Sequence, residues 1–474
     1  MATEPKDQSG STTAPADDNV EAAPYCLLGP KGNDVLSDLK SDERLSRIRA
    51  LLAQWMRMEN IVVLLASGCS SGEGIGGKTL AALEDAVLAV LSARYGSKED
   101  VILKQIVDAR AAARKKDGSQ SFEGWLSHLS NTQHLLESPN SPVSAISWKD
   151  DKASTIQLDP ASARRLLLDV EHSIYGFCAI QMPAIEGGAR GHHAFFAKLI
   201  ARDPGLGRGH VFTLNYDTLI EQTLDQLGVL YFDGFGGKTE TKFDPSVYGL
   251  DVYYPGEVAA GRVRRYDKFL HLYKLHGSIH WYQASDDSVR AFHQPLDKFS
   301  AWRDASDNES RAKQLDKLWS DGRRMAILPT TNKFVQTLDL PFSHLFRVFH
   351  QRLNTPQTFF IVVGYGFSDD HVNQIIDAAM TNPSLIMLVV DPTPAEQLRA
   401  KLKRYQDIGE RVFLLCSRTA GDRMHATFDD FAVNLMPQVQ WLDDYIKLRR
   451  YEKTVGETME QSAPPSASGS QPAL

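Results

Sequence analysis

Two rhythms of apolar residues run along the chain. Ile61-Val62-Val63-Leu64-Leu65, Val211-Phe212-Thr213-Leu214 and residues 358–363, 385–390 and 412–416 are short apolar runs rich in β-branched side chains. Such runs read as strands buried on both faces. Leu272-Tyr273-Lys274-Leu275 and residues 325–328 are shorter candidates of the same kind. Between the strands, residues 218–227, 342–353, 370–380 and 395–404 carry apolar positions at helical spacing. Apolar strands alternating with helices predict an α/β fold, a doubly wound, mainly parallel Rossmann-like sheet covered on both faces.

The first strand is flanked by helical pattern. Leu36, Leu39, Leu45, Ile48, Leu52, Trp55 and Met56 mark an apolar stripe over residues 34–59. Helical spacing continues through residues 80–95 and 98–115, restarts at 121–126 behind a Ser121 N-cap, and resumes at 161–180 and 193–201, with a mostly polar loop over 138–155. A large α-helical insertion, about residues 80–205, therefore separates the first two strands. Residues 231–270, rich in Gly, Tyr and Pro, predict an irregular insertion. Residues 1–30 and 454–474 hold few large apolar groups and are expected to be disordered tails around one domain, residues 31–453.

Composition narrows the classes. A net charge of −7 gives no basic balance for direct nucleic-acid binding, and no apolar run approaches the length of a membrane span. The four cysteines, at 26, 69, 178 and 416, form no CxxC pair, which excludes a zinc ribbon. With no apolar leader at the N-terminus, the expectation is a cytoplasmic protein.

Chemistry concentrates after the strands. The stretch Ile61 to Thr79 runs from a buried strand through small residues and glycines to a helix start, an order that holds phosphates in α/β proteins. Gly72, Gly77, Lys78 and Thr79 match a P-loop of nucleoside triphosphatases, and Gly72, Gly74 and Gly77 match a dinucleotide fingerprint. The strand ending at Asp391 could supply a magnesium-binding acid for the first. Residues 66–71 intervene between strand and loop, however, longer than the tight turn a P-loop needs. A dinucleotide oxidoreductase lacks its ribose-binding acid after the first helix. Lys78→Ala is the discriminating substitution between an NTPase and other readings. Ligands bind beyond the carboxyl ends of the strands in such sheets. Those ends carry Gly68-Cys69-Ser70, Asn215-Tyr216-Asp217, His276-Gly277-Ser278, residues 364–369 (GYGFSD) and Asp391, which together predict a nucleotide-sized site. His128, His192 and His425 lack such a setting and read as surface or packing residues.

The order GCS, TLNYDTLIE, KLHGSIHW and VVGYGFSDDHVNQII, with DGFGG at residues 233–237, resembles the sirtuin-like family, in particular its bacterial anti-phage effectors that consume NAD. The resemblance implies cleavage of the nicotinamide–ribose bond of NAD as substrate, with Asn215 orienting water or the ribose and His276 acting as general base. Asp217 would contact the nicotinamide or its ribose. Gly68, Cys69 and Ser70 would lie against the pyrophosphate, Gly364 and Ser368 against the adenosine half, and Asp391 would join the binding set. Ala66 stands where the family's first loop usually carries a glycine, and the zinc cysteines of protein-deacylating sirtuins are absent. The resemblance therefore implies water as acceptor, no zinc, and a homo-oligomer or a separate partner such as a hexameric DNA-translocating ATPase or an Argonaute-like protein. Gly72 to Gly77 becomes a flap over the nucleotide and Lys78 a surface residue at a helix start. The non-enzymatic alternative is an NAD or ADP-ribose sensor on the same fold.

Overall fold

A computed structural model describes residues 24–437 except 73, 97–99, 118–121, 138–140, 142, 150–154, 189, 204, 255–264, 285, 287, 293–295, 319–323, 328–339, 407–410 and 419–424. Strands are β1 (Tyr25–Leu28), β2 (Asn60–Leu65), β3 (Ile146–Lys149), β4 (Thr155–Leu158), β5 (Gly209–Thr213), β6 (Leu230–Phe232), β7 (Phe235–Gly236), β8 (Lys242–Phe243), β9 (Phe269–Lys274), β10 (Gly277–Gln283), β11 (Val289–Ala291), β12 (Arg324–Ile327), β13 (Thr358–Val363), β14 (Leu385–Pro394) and β15 (Val412–Ser417). Helices are α1 (Ser41–Trp55), α2 (Ser67–Ser70), α3 (Leu80–Arg94), α4 (Val101–Asp117), α5 (Phe122–Glu137), α6 (Pro160–Cys178), α7 (Gly191–Ile200), α8 (Leu219–Leu227), α9 (Asp297–Arg303), α10 (Asn308–Leu318), α11 (Phe342–Leu353), α12 (Asp370–Ala379), α13 (Ala395–Gln406) and α14 (Phe428–Asp430), which runs into a π-helical turn, Phe431–Leu435.

The main sheet has the order β1-β15-β14-β13-β2-β5-β9-β6, parallel throughout except for the antiparallel edge strand β1. It is the doubly wound α/β sheet that the strand pattern predicts. Alternate side chains of each strand enter opposite cores. Val62 and Leu64 pack with Phe212, Phe360 and Val389 against Phe349 of α11 and Ile376 of α12. Ile61, Val63 and Leu65 pack with Val211, Ile361 and Val390 against Leu52 of α1, Phe195 of α7 and Leu224 of α8. The helical insertion has its own core, in which Leu83, Val87 and Leu91 of α3 meet Trp125 of α5, Tyr175 of α6 and Trp302 of α9.

Several boundaries differ from expectation. Tyr25–Leu28 belongs to the segment assigned to the N-terminal tail, yet it is a buried strand, because its four apolar residues complete the sheet edge against β15. That pairing sets Cys26 directly opposite Cys416, so two of the scattered cysteines are cross-strand neighbours. The first helix starts at Ser41 instead of residue 34. Part of the polar loop over 138–155 forms the hairpin β3–β4. The irregular insertion supplies β6 to the main sheet and β7 and β8 to a five-stranded antiparallel sheet ordered β12-β10-β11-β8-β7. Residues 1–23 and the C-terminal tail, 454–474, lie outside the described residues.

Three histidines sit in apolar surroundings. His192 is 1% exposed at the start of α7, and burial lowers its pKa to about 3. His210 and His271 are register partners on β5 and β9, stacked at 5.0 Å; burial lowers His271 to about 4 and His210 well below its usual value. Folded-state values below the unfolded value of roughly 6.5 mean that unfolding takes up protons as pH falls. The stability these neutral rings carry is complete above pH ~6.5 and declines below it, by about 2 kcal/mol per ring at pH ~5. Urea denaturation should therefore show a midpoint that falls steeply from pH 7 to 5, and His192→Leu should flatten that slope; an unchanged slope would contradict the assignment of His192 as a buried neutral ring.

Candidate active site

In the parallel part of the sheet the chain proceeds from β2 outward to β5 and β9, then resumes on the other side of β2 with β13, β14 and β15. The order reverses between β2 and β13, and ligands in open α/β sheets bind at that crevice. A cavity of about 1280 Å³ opens there, lined by Gly68, Ser70, Asn215, Asp217, His276, Gly364, Ser368 and Asp391 among others. Eight of the nine residues singled out from the sequence thus share one cavity. Its volume exceeds the roughly 300–1,000 Å³ of ordinary small-molecule sites, which suits a dinucleotide.

Cys69 stands one layer back. It is 1% exposed, and its thiol donates to the Val363 carbonyl beneath the sheet end. Burial raises its pKa above the usual thiol value, and that of Cys178 at the cavity wall, with the charge of Asp217 adding to both. Neither thiol is a nucleophile at neutral pH.

Gly68 and Gly364 touch. The Gly68 N–H donates to the Gly364 carbonyl at 3.1 Å, and a Cβ on Gly68 would lie 2.6 Å from the Gly364 Cα. Gly364 has φ +67, and a Cβ there would lie 2.8 Å from the Cys69 nitrogen. Ala66, by contrast, is extended at φ −128, so the position has no need of a glycine.

Asn215 organises the floor. Its Nδ2 donates to the Ala66 carbonyl at 3.1 Å and to the Ser70 hydroxyl at 2.8 Å, and Ser70 in turn donates to Asp217 Oδ2 at 2.7 Å. The Ala66 carbonyl can only accept, which fixes the amide with Nδ2 on that side. Asp217 Oδ1 accepts the Leu219 N–H at 3.1 Å. From below, the buried Lys274 donates to the Asp217 carbonyl and to Glu221 Oε1, the latter at 2.8 Å. The loop after β5 is therefore held on both sides.

His276 and Asp369 face each other, Nε2 to Oδ2 at 2.9 Å, with side chains 3% and 4% exposed. The other carboxylate oxygen of Asp369 caps α12, accepting from His371 at 3.0 Å and Val372 at 3.4 Å. The loop after β13 crosses the ends of β2 and β5 to make this pair. Phe367 in that loop takes a left-handed φ of 54, held by the Asn373 side chain on its carbonyl at 3.0 Å and by rings of Tyr365 and Tyr405. Asp369 appears in the sequence only as one of several strand-end residues; its pairing with His276 is a tertiary fact.

Two walls come from outside the strand ends. The helical insertion supplies Lys78, Leu80 and Leu83 around the start of α3 and Phe177 and Cys178 from α6. Lys78 is exposed just ahead of α3, as expected of a surface residue at a helix start, and it also lines the cavity, its ammonium 5.5 Å from the Phe177 ring centre. Thr79 caps α3 through the Ala82 N–H, and α3 packs into the insertion's core instead of onto the sheet. With α2 set between β2 and the glycine loop, the geometry of a P-loop is not formed. The second wall is Tyr25 of β1 with His425, Thr427, Phe428, Asp429 and Asp430 around α14. His425, read from the sequence as a surface or packing residue, lies against Tyr25 at the rim. The signal for this wall was the pattern T-x-x-D at Thr427–Asp430 before an apolar run, with Thr427 accepting the Asp430 N–H.

Residues 209–408 match the family model described as a SIR2-like domain. That span holds the loops after β5, β9, β13 and β14, and leaves β2 and both flanking walls outside it. None of the curated proteins matches the chain.

Ser70→Ala would leave Asp217 Oδ2 and Asn215 Nδ2 each short of a buried partner, an expected cost of about 1–3 kcal/mol. Gly364→Ala combines the positive φ with a backbone clash and should cost at least as much. Urea melts check both; an unchanged midpoint for either variant would contradict the geometry described.

Proposed function

We propose that this chain, which carries a SIR2-like domain in keeping with a sirtuin-like family, is an NAD glycohydrolase. The supporting observation is the buried His276–Asp369 pair beside Asn215 in one dinucleotide-sized cavity. In this reading the C1′–N bond of the nicotinamide ribose breaks and its electron pair neutralises the pyridinium, so nicotinamide leaves without a general acid. Positive, oxocarbenium-like character builds on the ribose, as in glycoside cleavage. The oxygen of a water molecule bonds to C1′, and its proton passes to His276. Asp369 holds the ring's orientation through Nε2 and stabilises the imidazolium, so the proton arrives at Nδ1. The products are nicotinamide, ADP-ribose and a proton.

Asn215 is suited to orient water or a ribose hydroxyl. Its Nδ2 is committed to Ala66 and Ser70, which directs Oδ1 as the acceptor. Asp217, fixed by Ser70 and Leu219, adds negative potential where the cation develops. Lys78, set in the wall, offers a positive charge for the pyrophosphate. Because Lys78 lines the same cavity, Lys78→Ala no longer separates an NTPase from an NAD hydrolase: both readings now place nucleotide phosphates near it.

Base assistance of this kind contributes roughly 10²–10⁴-fold, with orientation and water exclusion supplying the remainder. An enzyme that drains NAD fits a defence effector held inactive until triggered, through assembly or a partner protein. Incubation of the full chain with NAD and chromatography of the products tests the activity. Nicotinamide and ADP-ribose should accumulate in equal amounts, and His276→Ala or Asn215→Ala should lower the rate by at least ~10² while the melting temperature is kept. Intact NAD alongside tight ADP-ribose binding would favour the sensor reading instead.

A further inference from the structure

We infer that Cys26 and Cys416 form a reversible disulfide site, at which a peroxide oxidises the two thiols and ties the edge strand β1 to β15. The inference is independent of what the cavity binds. β1 and β15 run antiparallel, and Cys26 is the register partner of Cys416. Their side chains share a face: Cys26 and Leu28 enter the same core as Leu414 and Cys416, whereas Tyr25, Leu27 and Leu415 enter the opposite one. The Cys416 sulfur lies 3.7 Å from the Cys26 carbonyl oxygen. Both thiols are free, so the structure is that of the reduced form. Neither lines the cavity, and the reaction proposed above uses neither.

The backbone fixes how far apart the pair stands. Leu27 turns its polar groups outward, its N–H donating to Asp34 Oδ1 at 3.2 Å and its carbonyl accepting the Val35 N–H at 2.9 Å. Those of Cys26 therefore point at β15, and the Arg418 N–H donating to the Pro24 carbonyl at 3.0 Å is in the same phase. Cys26 and Cys416 are thus a hydrogen-bonded pair, with Cα atoms roughly 5.5 Å apart. That spacing falls inside the range of about 4.4–6.8 Å that a disulfide bridges. Side chains approach more closely at the alternate pairs of such a ladder, so a bond here is strained and open to reduction by thiols.

A hydrogen bond with the Cys26 side chain, together with burial, raises the Cys416 thiol above its ordinary value. Cys416 keeps its proton, and the first attack belongs to Cys26. The Cys26 sulfur gives up its proton and attacks one oxygen of the peroxide. The O–O bond breaks, and the departing hydroxide leaves with that proton as water, so that Cys26 becomes a sulfenic acid. The Cys416 sulfur then bonds to the Cys26 sulfur; the S–O bond breaks, and the second hydroxide takes the Cys416 proton as water. Two thiols lose two electrons, and one hydrogen peroxide becomes two waters. Cys26 and Cys416 are 5% and 0% exposed, but β1 is four residues long and lies at the end of the sheet. Local opening of so short an edge admits an oxidant of that size. The bond fastens the cavity's rim from behind. Tyr25 lines the cavity and donates to Asp430 Oδ1 at 3.0 Å, and Cys416 is the register partner of Asp391 on β14.

The test treats the full chain with hydrogen peroxide, then denatures it and counts thiols, of which the sequence holds four. The count should fall to two, peptide mapping should find Cys26 joined to Cys416, and dithiothreitol should restore all four. Amide hydrogen exchange in the peptide that carries β1 should slow by about 10-fold in the oxidised chain. Cys26→Ser should show neither the linked peptide nor the slower exchange. Four thiols remaining after peroxide, a bond joining any other pair of cysteines, or a linked chain whose β1 exchanges as fast as before would overturn the inference. None of these results bears on the NAD reading.

Discussion

Gly68 and Gly364 meet at the place where the strand order reverses, their backbones closer than any side chain would permit. Everything at the site follows from that contact. Because the loop after β2 and the loop after β13 interlock without side chains between them, the second loop can continue across β2 and β5 and deliver Asp369 to His276 at the end of β9. The same contact sets Ser70 two residues further along α2, where it joins Asn215 to Asp217. The glycines are thus required by chain against chain, whatever the ligand.

The polar groups so assembled are buried, and burial makes their mutual satisfaction compulsory. Each side chain has a second duty that fixes it. Asp369 caps α12 with one oxygen while holding His276 with the other, Ser70 accepts from Asn215 while donating to Asp217, and Lys274 braces the Asp217 carbonyl while pairing with Glu221. Such double engagement pre-organises a reacting geometry without requiring the ligand to order it. The strained φ of Phe367 is confined to the loop that carries Asp369, which is where a fold that over-determines its backbone can hold strain.

Most of the main sheet was legible in the sequence because its central strands are apolar on both faces, and a run such as Ile61 to Leu65 has few other readings. The strand-end residues were legible for the same reason, since they are the first small or polar groups after such runs. The five-stranded second sheet was not: β7 and β8 are two residues each and lie among glycines and tyrosines, so no periodicity can develop. β1 was hidden by the polar tail before it, and the wall around α14 by its brevity. That Lys78, exposed at the helix start as its sequence setting suggests, also lines the cavity depends on how the insertion folds back against the crevice, a relation set by the packing of α3 and α6. The pairing of His276 with Asp369 depends on a loop crossing two strands, which no local pattern encodes.

The most direct test is a crystal structure of the His276→Ala variant grown with NAD. The account predicts intact NAD in the crevice between β2 and β13, its nicotinamide ribose beside Asn215 and its adenosine ribose at Asp391. A nucleotide seated instead on the loop from Gly72 to Thr79, with the crevice empty, would contradict it.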